Sequence, residues 1–436
     1  GIMSPDHFTF EEVMTLFLAV MVTDVIILDV FNTLGMPTST TVSLVFELLG
    51  GAFILATLKM YGDDSLNYGV LLNSNKALEV IMGIFSSVII AFVFGAFVMW
   101  LSRIVFTFNY RKHSRYSIAI FGGIAFTALS YFIFMKGLGK SPYLPAEWRN
   151  YIDQNLGLLL CITFVGSAIV MEFLHLCRIN IFKFTVLMGT FALAMAFAGN
   201  DLVNFIGVPL AGLSSYQDYM ANGNGATPDQ FMMTSLMDSA KTTPVYLLTA
   251  GAVMIIAMAT SKKAQNVIKT SVDLSRQDEG DEMFGSSSAA RVIVRNCQAT
   301  DSWLKQFLPK SLMNWINSRF DKNDVELEES AAFDVVRAAV NLVLASMLIT
   351  IGTNLKLPLS TTYVTFMVAM GSSLADRAWS RESAVFRVTG VLSVIGGWFI
   401  TAGVAFAACG IVCIIMHFGG VGIQTCFMAL VIFLLI

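Results

Sequence analysis

The sequence predicts an all-α polytopic membrane protein, organised as an inverted-topology repeat with discontinuous helices. Three observations lead there. Of the 436 residues, 56% are hydrophobic and 13% charged, where a soluble domain of this length carries roughly a quarter charged residues. Uninterrupted apolar runs at 81–101 and 386–416 are long enough to cross a bilayer. Finally, one string occurs twice in matching surroundings, as "NTLGMPTSTT" (32–41) and "TNLKLPLSTT" (353–362), with Gly50 falling on Gly371 in the same alignment.

The apolar segments lie near 11–30, 42–57, 81–102, 117–135, 157–176, 184–198, 245–261, 333–352, 360–374, 388–416 and 420–436, which gives about ten spans. Two polar stretches separate them. The first, 213–244, contains "NGNGATPDQ" and is expected to be a loop. The second mixes Lys/Arg with Asp/Glu over 262–330 and reads as a partly disordered, cytoplasmic hydrophilic insertion. The chain therefore divides into a first membrane part (1–261), the insertion (262–330) and a second membrane part (331–436).

Loop charge orients the spans. The connection holding Arg103, Arg111, Lys112 and Arg115 carries no acid, nor does the one holding Arg178 and Lys183, so both face the cytoplasm. Counting crossings from these loops puts 31–37 near the cytoplasmic side and 353–357 near the outer side. Equivalent sequence in opposite orientation is the pattern of inverted repeats, an architecture of many secondary transporters.

In the P-x-S-T-T string, proline removes a backbone donor and disfavours helix for the residue before it, so a helix starts just after it. Ser39, Thr40 and Thr41, and again Ser360, Thr361 and Thr362, then cluster with free N–H groups at a helix N-terminus. Such an end carries partial positive charge and suits an anion. Two opposed starts at mid-membrane would grip a small tetrahedral oxyanion; the plainer reading makes each an N-cap in a re-entrant turn.

In "FAGNDLVNFIGVPLAG" (197–212), Asn200, Asp201 and Asn204 share one side of a helical turn, flanked by Gly199 and Gly207. An acid between amides in an apolar chain is costly in lipid, which makes Asp201 a candidate to coordinate a cation or take a proton from a protonated anion. A cap at the membrane surface is the alternative. Asp29 and Asn32 beside the first repeat, and Asn354 beside the second, are further candidates for the coupled cation. Asp24, Glu47 and Glu172 are other polar residues within apolar runs, and Glu172 and His175, at i and i+3, read as a pair beside Arg178.

The six cysteines read as small apolar residues rather than a disulfide framework or a metal site, although Cys409 and Cys413 are one turn apart. No Walker, G-x-S-x-G or H-E-x-x-H pattern is present, so no enzyme and no cofactor is expected.

The segments "AGNDLVN" (198–204), "PTSTT" (37–41) and "PLSTT" (358–362) together resemble the inorganic phosphate transporter (PiT) family of sodium- or proton-coupled phosphate permeases. That family carries two G-A-N-D-V-A-N signatures and two P-V-S-T-T strings. The resemblance implies a multi-pass plasma (inner) membrane protein performing secondary active transport of inorganic phosphate with Na⁺ or H⁺. Its implied partners are phosphate, the cation and the bilayer, with a homodimer as the candidate assembly and no nucleic acid. It also implies that Asn200, Asp201, Asn204 and the two S-T-T triplets line the phosphate and cation sites. Only one GND segment is present, and the chain opens on Gly1 and stops within "LVIFLLI"; it is expected to be a piece of a longer protein whose second GND copy lies upstream. Other readings are a sulfate or other oxyanion permease, a membrane enzyme acting on lipid phosphate, and a non-transporting sensor.

Overall fold

A computed structural model describes residues 2–36, 38–62, 65–110, 115–137, 145–237, 243–261, 269, 272, 274–275, 285–307, 309–321, 331–355, 357, 359–377 and 383–435. Among these the chain is helical, with only two isolated β-bridges, Met3 to Leu72 and Thr9 to Met232. In order the helices are α1 (Phe10–Thr33), α2 (Thr40–Gly62), the single turn α3 (Tyr68–Leu71), α4 (Ser74–Phe106), α5 (Arg115–Ser130), α6 (Ala146–Gln154) and α7 (Leu156–Leu176). They continue with α8 (Ile181–Asn222), α9 (Pro244–Thr260), α10 (Ser288–Phe307), α11 (Lys310–Arg319), α12 (Val335–Asn354), α13 (Thr361–Ala375) and α14 (Ser383–Leu435).

Eight helices among the described residues are long and apolar enough to cross a membrane, and α9 is a shorter apolar helix. The protein is an integral, multi-pass membrane protein. On α7, Leu158, Ile162, Val165, Ile169 and Phe173 recur at helical spacing and stay exposed. Water would penalise that face; lipid accepts it.

Two sequence expectations are revised. The span near 184–198 does not end before the GND segment: α8 runs unbroken through it and through Pro209 to Asn222. The loop expected over 213–244 therefore begins only after Asn222. Segments 388–416 and 420–436 stay distinct: α14 is two helices meeting at a kink at Gly420, whose φ of 59° and ψ of −161° are non-helical and open to glycine. Within 262–330, α10 and α11 are regular helices. Arg319 at the end of α11 donates to the carbonyls of Ile104 (2.6 Å) and Val105 (2.8 Å), capping α4.

The chain forms two compact units. Unit 1 comprises Gly1–Phe85, Ala198–Thr270 and Ile395–Ile436. Its α1 opens on a capping box, with the Glu12 amide on Thr9 Oγ1 and the Thr9 amide on Glu12 Oε2. Glu12 also holds Lys59 near the end of α2 at 2.7 Å, so α1 and α2 run antiparallel as a hairpin. Gly50 lets α14 approach closely: a Cβ there would lie 2.1 Å from the Phe406 carbonyl oxygen.

Unit 2 comprises Ser86–Phe197 and Ser271–Val394. The α12–α13 pair repeats the α1–α2 plan, with the Arg337 amide bonded to the N-cap Asp334 at 2.9 Å. Gly371 plays the part of Gly50, since its Cβ would lie 2.2 Å from the Phe92 carbonyl oxygen on α4. The repeat thus preserves a close-packing glycine as well as the S-T-T string. Arg103, which the sequence reading places among the loop cations, is inside α4 and fully buried. It makes a bidentate pair with Asp376 and a 2.7 Å contact with Asp334, because a guanidinium at that depth needs carboxylates to replace water. Arg111, Lys112 and Ser114 lie outside the described residues.

Candidate functional site

Pro37 and Pro358 lie outside the described residues; the hydroxyl triplets after them do not. In unit 1, Ser39 precedes α2 and accepts the Val42 amide on its Oγ at 3.2 Å, while its carbonyl accepts the Ser43 amide at 3.0 Å. That is N-cap geometry. In unit 2, Ser360 does the same for α13, with Oγ receiving the Tyr363 amide at 3.1 Å and the carbonyl receiving Val364 at 3.0 Å. Both serines are buried.

Each serine therefore makes the hydrogen bonds of a cap. A cap uses the oxygen lone pairs and leaves the hydroxyl hydrogen available. The helix starts also leave the N–H groups of Thr40 and Thr41, and of Thr361 and Thr362, with no intrahelical acceptor. Thr40 and Thr362 are half-buried, whereas Thr41 and Thr361 are buried. Hydroxyls and amide hydrogens thus gather at both helix starts without a net charge.

The GND segment meets the first of these starts. Asn204 Nδ2 donates to Thr41 Oγ1 at 2.7 Å, joining residues far apart in sequence. One turn earlier on α8, Asn200 Nδ2 donates to Asp201 Oδ1 at 3.0 Å. Asn200, Asp201 and Asn204 are all half-buried and lie on the helical turn that their spacing predicts. The resulting array holds the Asn204 amide, the Thr41 hydroxyl, a helix N-terminus and one carboxylate. It offers hydrogen-bond donors to an oxyanion and an acceptor to a proton or cation.

Asp29 and Asn32 lie on the last two turns of α1, in the same unit. Asn354 is the last residue of α12 in unit 2, so the four cation candidates fall into two groups.

A second polar group in unit 1 was not assembled by sequence reasoning. Ser43, on the first turn of α2, lies with its Oγ 2.8 Å from Asp24 Oδ1 on α1 and 2.8 Å from Glu47 Oε1 on its own helix. Asp24 is 5% exposed and Glu47 0%. The i,i+4 spacing of Ser43 and Glu47 is visible in the sequence, but Asp24 joins them only through the α1–α2 hairpin. Among the described residues, no group of three or more His, Cys, Asp or Glu side chains suits a metal ion.

The sequence model of the phosphate transporter family matches residues 1–271. Among solved structures, the chain is similar to one described as the sodium-dependent phosphate transporter. That likeness has a TM-score of 0.60 at 15% identity, covering 96% of this chain and 83% of the other. At this identity it establishes the fold. Comparison with curated protein sequences gave no match.

Proposed function

We propose that this chain, which belongs to the phosphate transporter family, carries inorganic phosphate across a membrane by secondary active transport. The observation that carries the reading is the 2.7 Å bond from Asn204 to Thr41, because it joins the amide–acid turn to a helix start. With its oxygen accepting from Asn204, the Thr41 hydroxyl is oriented to donate onward, and donors linked in series polarise one another. Phosphate oxygens take hydrogen bonds from Thr40, Thr41 and the first N–H groups of α2. Asn200 and Asn204 set the flank, and Asp201 accepts the hydrogen of a protonated phosphate oxygen or holds the cation. Ser39 and Ser360 act as caps that fix the two helix starts, and Thr361 and Thr362 supply the same chemistry in unit 2.

Neutral donors suit an anion that must be released again, since a fixed lysine or arginine would hold it too tightly and cost too much in lipid. The anion's charge is offset by a co-transported Na⁺ or H⁺, with Asp201, Asp29, Asn32 and Asn354 as coupling residues. The chain is read as a permease of the plasma (inner) membrane, with a homodimer as its candidate assembly and no enzymatic activity. Sulfate is the competing substrate. Unlike phosphate it carries no proton near neutral pH, so it has nothing to donate to Asp201 and meets a like charge there.

The test is uptake of labelled phosphate by proteoliposomes under an imposed Na⁺ or H⁺ gradient, with sulfate as competitor. Gradient-dependent phosphate uptake that excess sulfate leaves intact supports the reading. Uptake of sulfate in preference to phosphate, or of neither, would refute it.

A further inference from the structure

We propose that Asp24, Ser43 and Glu47 form a proton-binding site inside unit 1, distinct from the Asn204–Thr41 array. A serine hydroxyl has one hydrogen. It can donate to Asp24 or to Glu47, yet its oxygen lies 2.8 Å from a carboxyl oxygen of each. The second contact is a hydrogen bond only if that carboxyl is itself the donor, which requires it to be protonated. A single added proton therefore completes a chain from one carboxylic acid through Ser43 to the other carboxylate.

Two further observations point the same way. Glu47 is 0% exposed, and its Oε2 has no hydrogen-bond partner. A bare carboxylate oxygen in that position would carry the full cost of lost hydration. Nor is a base at hand. Helices α1 and α9 and the unit 1 parts of α8 and α14 contain no lysine or arginine. Among the described residues of unit 1 the lysines are Lys59, Lys76 and Lys269; Lys59 and Lys76 are bonded to Glu12 at 2.7 Å and Glu79 at 2.9 Å, and Lys269 lies outside the α1–α2 hairpin. Lys59 also lies about 18 Å beyond Glu47 along α2. Two buried acids with no cation to pair with are tolerated by binding protons.

The elements around the group bring other titratable side chains, among them His417 on α14, which is exposed and lies one turn beyond Cys413. From α14 come the buried thiols of Cys409 and Cys413, with Cys409 Sγ 3.3 Å from where a Cβ on Gly51 would lie. The unit 1 part of α8 carries Asp201 and Asp218, and α1 carries Asp29 toward its end. Loading takes one proton from the aqueous phase onto a carboxylate. Ser43 can then hand its own hydrogen to the second carboxylate while receiving one from the first, so the proton moves between Asp24 and Glu47 with no net change in bonding. Ser43 lies two residues beyond Thr41, so the proton site and the proposed anion site share the first turn of α2. Its role as a coupling ion rests on the transport reading above; its presence does not.

The test is infrared spectroscopy of the purified chain in lipid, in light and heavy water, with no phosphate added. The wild type is expected to show a protonated-carboxyl C=O band at neutral pH that moves on deuteration. Glu47→Gln or Asp24→Asn should remove it, and Ser43→Ala, which keeps both acids, should shift it. If neither acid variant folds, the Ser43→Ala shift decides. A wild type with no such band, or a band that all the folded variants leave unchanged, would overturn the proposal. Because phosphate is absent, a chain that fails to carry phosphate leaves this result standing.

Discussion

Replacing Thr41 by valine removes one oxygen and keeps the side-chain shape. The lost atom is the acceptor of the 2.7 Å bond from Asn204 Nδ2, and Thr41 itself is 4% exposed. Removing an acceptor from a buried donor costs about 1–3 kcal/mol. Asn204 is half-buried and regains part of this by turning toward other partners, which favours the lower end, about 1.4 kcal/mol. If that bond orients the donors for phosphate, and the Thr41 hydroxyl is itself one of them, the loss appears in binding as at least about tenfold weaker affinity. Thr41→Ser keeps the hydroxyl and should bind within about threefold of wild type, a difference of less than 1 kcal/mol. Phosphate affinity would be measured by calorimetry on purified protein, beside a thermal melt showing that each variant folds. Combining Thr41→Val with Asn204→Leu should cost less than the sum of the single changes, since both break one bond. Wild-type affinity in a folded Thr41→Val protein, or strict additivity in the pair, would refute the reasoning.

Gly50→Ala and Gly371→Ala should each lower thermal stability by about 1–3 kcal/mol, because overpacking against a carbonyl outweighs the helix propensity that alanine gains. Gly166→Ala on α7, where no atom lies within 4 Å of the added methyl, should be neutral or stabilising; equal melting shifts at all three sites would contradict this. Asp376→Asn removes the bidentate partner of buried Arg103 and should cost about 3–5 kcal/mol in an unfolding titration. A loss under 1 kcal/mol would show the pair to be dispensable. Single cysteines at Ser114 and Lys269, in a background lacking the native six, should label only after cells are permeabilised, with an impermeant reagent as the probe. Ser275 is a poorer reporter at 3% exposure, and labelling of the two on opposite sides would overturn the orientation read from loop charge.

The helix starts were legible because their chemistry is local. Ser39 and Ser360 cap the helices that follow the two prolines, and the hydroxyl string needs no distant partner to be recognised. The glycine correspondence was visible too, although its reason, close approach to Phe406 and Phe92, required the neighbouring helices. The path of α8 was not legible. Hydropathy falls at "AGNDLVN", yet a few polar residues do not end a helix when their side chains bond one another and Thr41. Arg103 was misplaced for a related reason: a positive charge near a span end reads as a loop cation until Asp334 and Asp376 are brought beside it. The docking of Arg319 onto the end of α4 is also a tertiary fact, hidden behind a composition that suggests an exposed insertion. The Asp24–Ser43–Glu47 group shows the limit most clearly, since its members sit on two helices and only the hairpin pairs them.

The central claim is that the turn holding Asp201 serves phosphate transport, and it is tested most directly by labelled phosphate uptake into proteoliposomes containing wild-type or Asp201→Asn protein. The substitution keeps the shape of the side chain and removes its charge, so folding, checked by the melting profile, should be preserved. The account predicts gradient-driven uptake in the wild type and none above background in Asp201→Asn. Wild-type uptake by the folded variant would contradict it.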